Sequence, residues 1–229
     1  MGSGNKSSPR ATPRGGYTAK GELKLPDGSK IEFDGDLKYY GNDKTVKGVV
    51  RQRVEAWETK RGKSKVEYAY SVDANGNEIM AEKRGGKNRV MVPIFAHDTE
   101  GSTFTHIHPR EDGMLGGTFS QMDLENFAVY KNKTTRAKAK EGTYSITKGK
   151  NFDKVGFLNM VSEANRNFDK EQNIAKKSIL SKLNNREISY DDALKQSAKA
   201  FNTSLVKLHN AYKSGEKKYG YYYTLEQPK

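Results

Sequence analysis

Apolar and polar residues alternate on both sides of a short turn near the N-terminus. The turn sequence is Pro26-Asp27-Gly28. The apolar positions around it are Leu23, Leu25, Ile31 and Phe33. A period of two places these side chains on one face of a strand, and Pro-Asp-Gly favours a turn. The pattern therefore predicts a β-hairpin with one apolar face.

The next segment has helical periodicity, and strand patterns follow it. One face of the predicted helix carries Val46, Val49, Val50, Val54 and Trp57. The helix is expected to end at the Lys60-Arg61-Gly62-Lys63 break. A strand that opens at Glu67, a turn at Asn75-Gly76 and a second strand come next. Residues 134–140 and 142–147 predict two further strands joined by a turn.

The C-terminal third of the chain has a helical pattern. Two predicted helical segments carry apolar residues over 155–161 and 174–183. Ser189 and Asp192 form a predicted capping box that opens a third helix. Residues 219–225 predict a final strand that adds to the sheet.

These patterns predict three parts of the chain. Residues 1–16 are rich in Gly, Ser, Pro and basic residues and are expected to form a disordered basic tail. Residues 17–150 are expected to form an α/β domain, and residues 151–229 a helical C-terminal extension with a possible final strand.

Composition makes this a polar and basic protein. The 229 residues include 41 Lys and Arg against 28 Asp and Glu, a formal net charge of +13, and the mean hydropathy is −0.93. A chain of this length can bury a real core. The charge predicts attraction to polyanions, but the basic residues are spread along the chain without a nucleic-acid motif. Nonspecific contact with nucleic acid is therefore favoured over specific recognition.

The sequence contains no predicted membrane span and no cysteine. It also lacks the N-terminal apolar stretch of a signal peptide, so we expect a soluble cytoplasmic protein with no membrane partner. Without thiolates, any metal must be bound by His, Asp or Glu. The patterns predict no oligomeric state.

Two of the four histidines are separated by a single residue. His106 and His108 lie in a Thr-His-Ile-His-Pro segment that predicts a strand stopped by proline. Alternate side chains share a strand face, so both rings could bind one ion. Asp123 lies three residues after Ser120, at a predicted helix start. Two imidazoles and a carboxylate with one open position are typical of catalytic zinc.

The same residues also fit a structural interpretation. His106 and His108 could belong to a surface strand, and Ser120 with Asp123 could form only a capping box. His209 falls near the apolar face of the third C-terminal helix, and we interpret it as a packing or surface residue.

The order His106-x-His108-Pro109, then Ser120-x-x-Asp123, resembles the signature of the JAMM metalloproteases. This family is also called MPN+ or JAB-domain, and its RadC-like variant is the more similar form. The resemblance extends from about residue 45 to residue 148. It implies that residues 17–150 are a JAMM-like metal-binding domain. The implied fold is α+β, a mixed β-sheet flanked by helices, here with an added C-terminal helical segment.

The resemblance also implies a role for each site residue. His106, His108 and Asp123 would bind Zn²⁺. Ser120 would support the transition state, and an upstream glutamate would be the general base that activates the metal-bound water. Glu67 is the best candidate for this base because it opens a strand. The other glutamates open for this role are Glu55, Glu58, Glu78 and Glu82.

The implied function is zinc-dependent hydrolysis of peptide or isopeptide bonds in a protein or peptide substrate. The loop between His108 and Asp123 is longer than is usual in the family. Glycines at 113, 116 and 117 allow this loop to bring Ser120 and Asp123 back to the histidines. We therefore expect metal binding to be kept and substrate preference to differ.

Two alternative functions remain open. Similar motifs occur in domains attached to bacteriophage head-morphogenesis and toxin-like proteins. The chain could thus be a bacteriophage or mobile-element structural or interaction protein with a noncatalytic metal site, in an infected bacterial cell or associated with the virion. The second alternative is a basic nucleic-acid-binding protein.

Overall fold

A six-stranded mixed sheet, a two-stranded sheet and α-helices form the part of the chain that the structure describes, residues 16–109 and 112–228 of a computed structural model. The predicted α+β fold, with a mixed sheet flanked by helices, is confirmed. The predicted N-terminal tail lies outside the described residues, apart from Gly16.

The elements are numbered in chain order. They are β1 (Thr18–Lys24), β2 (Lys30–Lys38), α1 (Gly48–Arg61), β3 (Tyr68–Val72), β4 (Glu78–Arg84), β5 (Thr103–Ile107), α2 (Gln121–Val129), β6 (Thr134–Ala139), β7 (Gly142–Lys148), α3 (Lys154–Asn184), α4 (Tyr190–Ser214), α5 (Glu216–Tyr219) and β8 (Tyr221–Glu226). A short 3-10 helix, Ile94–Ala96, precedes β5.

The large sheet has the strand order β4-β3-β5-β6-β7-β8. Only β5 and β6 are parallel to each other among these neighbours, and all other pairs are antiparallel. A parallel pair needs a crossover connection, and α2 supplies it here. The chain leaves the C-terminal end of β5, so the N-terminus of α2 lies close to that end.

The hairpin predicted near the N-terminus is confirmed. β1 and β2 are antiparallel, and all four predicted apolar residues are buried. The predicted helix corresponds to α1, in which Val54 and Trp57 are buried. Val49 was expected on the same face, but it is 49% exposed, because it lies in the first turn of α1 beside the Gly76 turn between β3 and β4.

The C-terminal helices differ from prediction in one respect. The two segments expected over 155–161 and 174–183 form one continuous helix, α3. No proline or glycine lies between residues 161 and 174, so the polar stretch there continues as a solvated helix. The Ser189 cap of α4 and the final strand β8 are confirmed. Among the described helices, none combines the length and apolar character needed to span a membrane.

The core has two main parts, one on each face of the large sheet. The larger part contains apolar residues of β1, β2, α2, α3, α4 and strands β6 to β8. The smaller part lies under α1 and includes Trp57, Tyr70 and Ile107. Residues from both predicted segments, 17–150 and 151–229, contribute to the larger core.

Candidate metal centre

Strand β5 presents the two histidines on the same face of the sheet. His106 pairs with Ala69 of β3 on one side and with Ala137 of β6 on the other. The amide of His108 donates to the Lys138 carbonyl at 2.8 Å, which extends the ladder past the end of β5. Ile107 points to the opposite face, under α1. The sheet thus holds the backbone of His106 from two sides and that of His108 through β6.

The N-terminus of α2 holds the carboxylate. Ser120 is the N-cap, and its amide and hydroxyl donate to Asp123 Oδ2 at 2.8 and 2.7 Å. The amide of Asp123 donates back to Ser120 Oγ at 3.2 Å. A capping box is therefore present. The same carboxylate also faces the histidines, so the structural and metal-binding interpretations of these residues apply together.

Three potential ligand atoms converge at this site. The Nε2 atoms of His106 and His108 are 2.8 Å apart. Asp123 Oδ2 lies 3.5 Å from the first and 4.0 Å from the second. Tetrahedral zinc with ordinary bond lengths places its ligand atoms about 3.3 Å apart. The three distances bracket this value, so these residues fit a zinc ion.

The hydrogen bond of His108 sets its tautomer. Its Nδ1 lies 3.2 Å from the Gly117 carbonyl oxygen. Because a carbonyl can only accept, Nδ1 carries the proton and Nε2 presents a lone pair when the ring is neutral. Gly117 has a φ of +81°, which glycine adopts without strain. The backbone at Gly117 therefore prepares His108 for a metal.

A buried carboxylate supports this glycine loop. The amides of Gly116 and Gly117 donate to Glu141 Oε2 and Oε1 at 2.8 and 2.7 Å. The Tyr144 hydroxyl donates to Glu141 Oε1 at 2.9 Å. Glu141 was interpreted from sequence only as part of a turn. No local pattern indicates its role, because the two glycines that it holds lie more than twenty residues earlier in the chain.

In the absence of a metal, the charges at the site favour a negatively charged Asp123 beside a protonated His106. Burial acts to raise the pKa of Asp123, but His106, His108 and Ser120 outweigh it and lower that pKa well below its usual range. Burial also acts to lower the pKa of His106, but Asp123 and Glu67 outweigh it and raise that pKa. The proton that His106 and His108 share between their Nε2 atoms thus occupies the position that a metal cation could take.

Glu67, the glutamate that the resemblance favours as the general base, lies beside this cluster. Its side chain is buried and lines the same cleft as the three potential ligands. The four other glutamates considered for this role do not line the cleft. Glu55, Glu58 and Glu82 are paired with Arg51, Arg136 and Arg61, and Glu78 is exposed.

The cleft has a volume of about 1080 Å³. All five predicted site residues line it, namely Glu67, His106, His108, Ser120 and Asp123. It is large enough for several residues of a peptide. The arrangement brings a group that could hold a cation, a further carboxylate and a hydroxyl together in one open cavity.

His97 also lines the cleft, although the sequence did not single it out. It is 6% exposed, and its ring lies 4.0 Å from that of Phe104 and 5.9 Å from that of Tyr130. Burial, and then the neighbouring His106, lower the pKa of His97 to about 4. His97 is therefore a neutral group at the cleft near pH 7. A lone histidine in a loop gives no sequence signal for this position.

No family model, curated protein or solved structure matches this chain. The resemblance to the JAMM family therefore depends on the site residues and their order, and it stays a prediction.

Proposed function

We propose that this chain is a zinc-dependent hydrolase of peptide or isopeptide bonds. The observation that carries the proposal is the convergence of two histidine nitrogens and the Asp123 carboxylate in a cleft that also contains Glu67 and Ser120. Many catalytic zinc sites have three protein ligands, among them two imidazoles and one carboxylate, and leave the fourth position open. JAMM-like chemistry is the form that this site supports best.

In this reaction each residue of the site would have a separate role. Bound zinc supplies Lewis acidity, which polarises a carbonyl and lowers the pKa of water towards neutrality. Glu67 accepts the proton of the attacking water and passes it to the leaving amine. Ser120 Oγ now donates to Asp123 Oδ2. Its hydroxyl must rotate towards the cleft in order to donate to the developing oxyanion.

Metal content and turnover of the wild type and three variants test this function. Zinc-reconstituted wild type is expected to hold about one zinc ion per chain by elemental analysis. His106→Ala and Asp123→Ala are expected to lose it, because each removes one of three protein ligands. Glu67→Gln is expected to keep the zinc and to cleave a peptide library or a proteome digest about 10²- to 10⁴-fold more slowly.

Two control variants show whether a loss of metal or turnover is specific to the site residues. His209→Gln changes a buried histidine outside the cleft, and Glu78→Gln changes an exposed glutamate on β4; both are expected to keep metal and turnover. A wild-type protein without stoichiometric metal contradicts the proposal. Stoichiometric metal without cleavage would favour the noncatalytic site of a phage or mobile-element protein.

A further inference from the structure

The two sides of the cleft differ in chemical character. One side, here called the basic wall, consists of Lys65, Lys87 and Arg89. All three side chains are exposed. The opposite side, here called the apolar wall, is formed by side chains of α3 and α4, which pack with β6 to β8, whereas the basic wall adjoins β3 and β4 at the other end of the strand order. Its members are Phe168, Phe201, Leu205 and Leu208.

The basic wall is joined directly to the backbone of Glu67. The Glu67 amide donates to the Gly86 carbonyl at 2.7 Å, and the Glu67 carbonyl accepts from Gly85 at 2.8 Å. The turn then closes with the Gly86 amide donating to the Arg89 carbonyl at 2.9 Å. A Cβ on Gly85 would lie 2.2 Å from that carbonyl oxygen, so the tight turn requires glycine. The backbone that carries Lys87 and Arg89 is thus held next to the backbone of the proposed base.

None of the three cations of the basic wall forms an ion pair with another described residue. By contrast, Arg61 on the neighbouring helix is neutralised by Glu82. Several unpaired cations on one side of a cleft produce a local positive potential that attracts an anionic group. The basic wall is therefore available to a ligand.

The apolar wall offers a different contact. The rings of Phe168 and Phe201 meet edge to face with centroids 5.8 Å apart, and both are only partly buried. Asp169 lines the cleft next to them and is exposed. A uniformly anionic ligand such as nucleic acid would meet this carboxylate, whereas an apolar side chain would cover the rings. The complementary ligand is anionic at one end only.

We propose that the cleft selects polypeptide segments with an acidic residue on one side of the scissile bond and a large apolar residue on the other. The acidic side chain contacts the basic wall, and the apolar side chain contacts Phe168 and Phe201. This inference rests on the proposed function, since it names the substrate class of that site. The observation behind this inference is the difference in charge between the basic wall and the apolar wall.

Peptide binding tests the inference separately from cleavage. We would measure fluorescence anisotropy of labelled peptides on the full chain carrying Glu67→Gln, with zinc and with zinc chelated. A peptide with Asp and Glu next to Leu and Phe is expected to bind about ten-fold more tightly than its Asn and Gln counterpart. Lys87→Glu combined with Arg89→Glu is expected to remove this preference, because it reverses the charge of the wall.

The matched control places the same charge change outside the cleft. Lys176→Glu combined with Lys177→Glu, both exposed on α3, is expected to change binding less than about two-fold. Equal binding of the acidic and amide peptides, or tighter binding of a single-stranded oligonucleotide that depends on the same wall, would overturn the inference. If the acidic preference is present but wild type cleaves no peptide, the hydrolase function fails while the charge selection of the cleft stands.

Discussion

Two of the three proposed metal ligands are oriented by a second hydrogen-bonding group. The Gly117 carbonyl holds the His108 ring, and Ser120 holds the Asp123 carboxylate. Glu141 in turn fixes the Gly117 amide. Such outer groups set tautomer and ring orientation, and their loss typically weakens metal binding.

We predict that Glu141→Gln lowers the zinc affinity about 10- to 100-fold. The amide keeps one accepting oxygen, but its NH2 group cannot accept from Gly116 or Gly117. The loop then loses one of two backbone anchors, and the His108 ring loses its fixed orientation. Titration of zinc against a competing chelator measures the change.

Glu226→Gln is the matched control for this prediction. Glu226 is also a buried carboxylate that accepts from a backbone amide, that of Asp43, but it lies outside the cleft. Both variants are expected to lower the melting temperature, whereas only Glu141→Gln should change zinc affinity. Equal zinc affinities of Glu141→Gln and wild type would show that the loop does not position His108.

At the scale of elements, α1 and α2 cover opposite faces of the same strands. α2 connects β5 to β6 and carries Asp123 of the candidate metal centre. α1 packs on the other face, where Glu58 accepts from Arg136 Nε and Nη2 of β6 at 2.8 and 3.0 Å. Thr105 of β5 donates to the same carboxylate at 2.8 Å. One buried glutamate thus attaches α1 to both strands of the parallel pair.

We predict that Glu58→Ala lowers the free energy of unfolding by about 3–5 kcal/mol. Arg136 is fully buried, and this change removes its bidentate partner. Urea unfolding followed by circular dichroism measures the loss. Zinc binding per folded chain is expected to stay unchanged, because the substitution lies on the face opposite the candidate site.

Glu55→Ala makes the same charge change on the same helix. Its ion pair with Arg51 is partly exposed, so the cost is expected to be below about 1 kcal/mol. Similar losses for the two variants would mean that the bidentate pair with Arg136 contributes no more than a surface contact.

At the scale of the whole molecule, His209 joins elements from both ends of the chain. Its Nε2 donates to the Lys38 carbonyl of β2 at 2.9 Å, which leaves Nδ1 to accept from the Tyr223 hydroxyl of β8 at 2.9 Å. This arrangement requires the neutral ring. Burial is the main cause that lowers the pKa of His209 to about 4. The sequence-based interpretation allowed a packing or a surface residue, and the buried position of His209 agrees with packing.

We predict that His209 makes the fold sensitive to acid. Its pKa is about 4 when folded and about 6.5 in an unfolded chain. The unfolded state therefore binds a proton in this window that the folded state does not, and stability falls as pH decreases through it. The loss amounts to about 2 kcal/mol between pH 7 and pH 5. Urea unfolding at both pH values measures it.

His209→Gln is the comparison for the acid prediction. Glutamine can still donate to the Lys38 carbonyl, but it does not titrate. The variant is expected to lose less stability than wild type over the same pH interval. Equal losses of stability in wild type and His209→Gln would show that other groups cause the acid sensitivity.

The sequence by itself determined the elements whose patterns are local. The β1–β2 hairpin, the shared face of His106 and His108, and the capping box of Ser120 and Asp123 all follow from spacings of two or three residues. Such contacts form within one strand or one helical turn, so a short stretch of sequence specifies them. The convergence of the histidines with Asp123 was predicted from the order of these motifs.

Only the tertiary structure decided what surrounds those motifs. Pairing of β3 with β5 places Glu67 at the cleft instead of four other glutamates. Glu141 and His97 support or line the site from turns that no local pattern connects to His106. The basic wall and the apolar wall also face each other across segments about a hundred residues apart. Contacts of this kind depend on strand order and helix packing, which local periodicity does not specify.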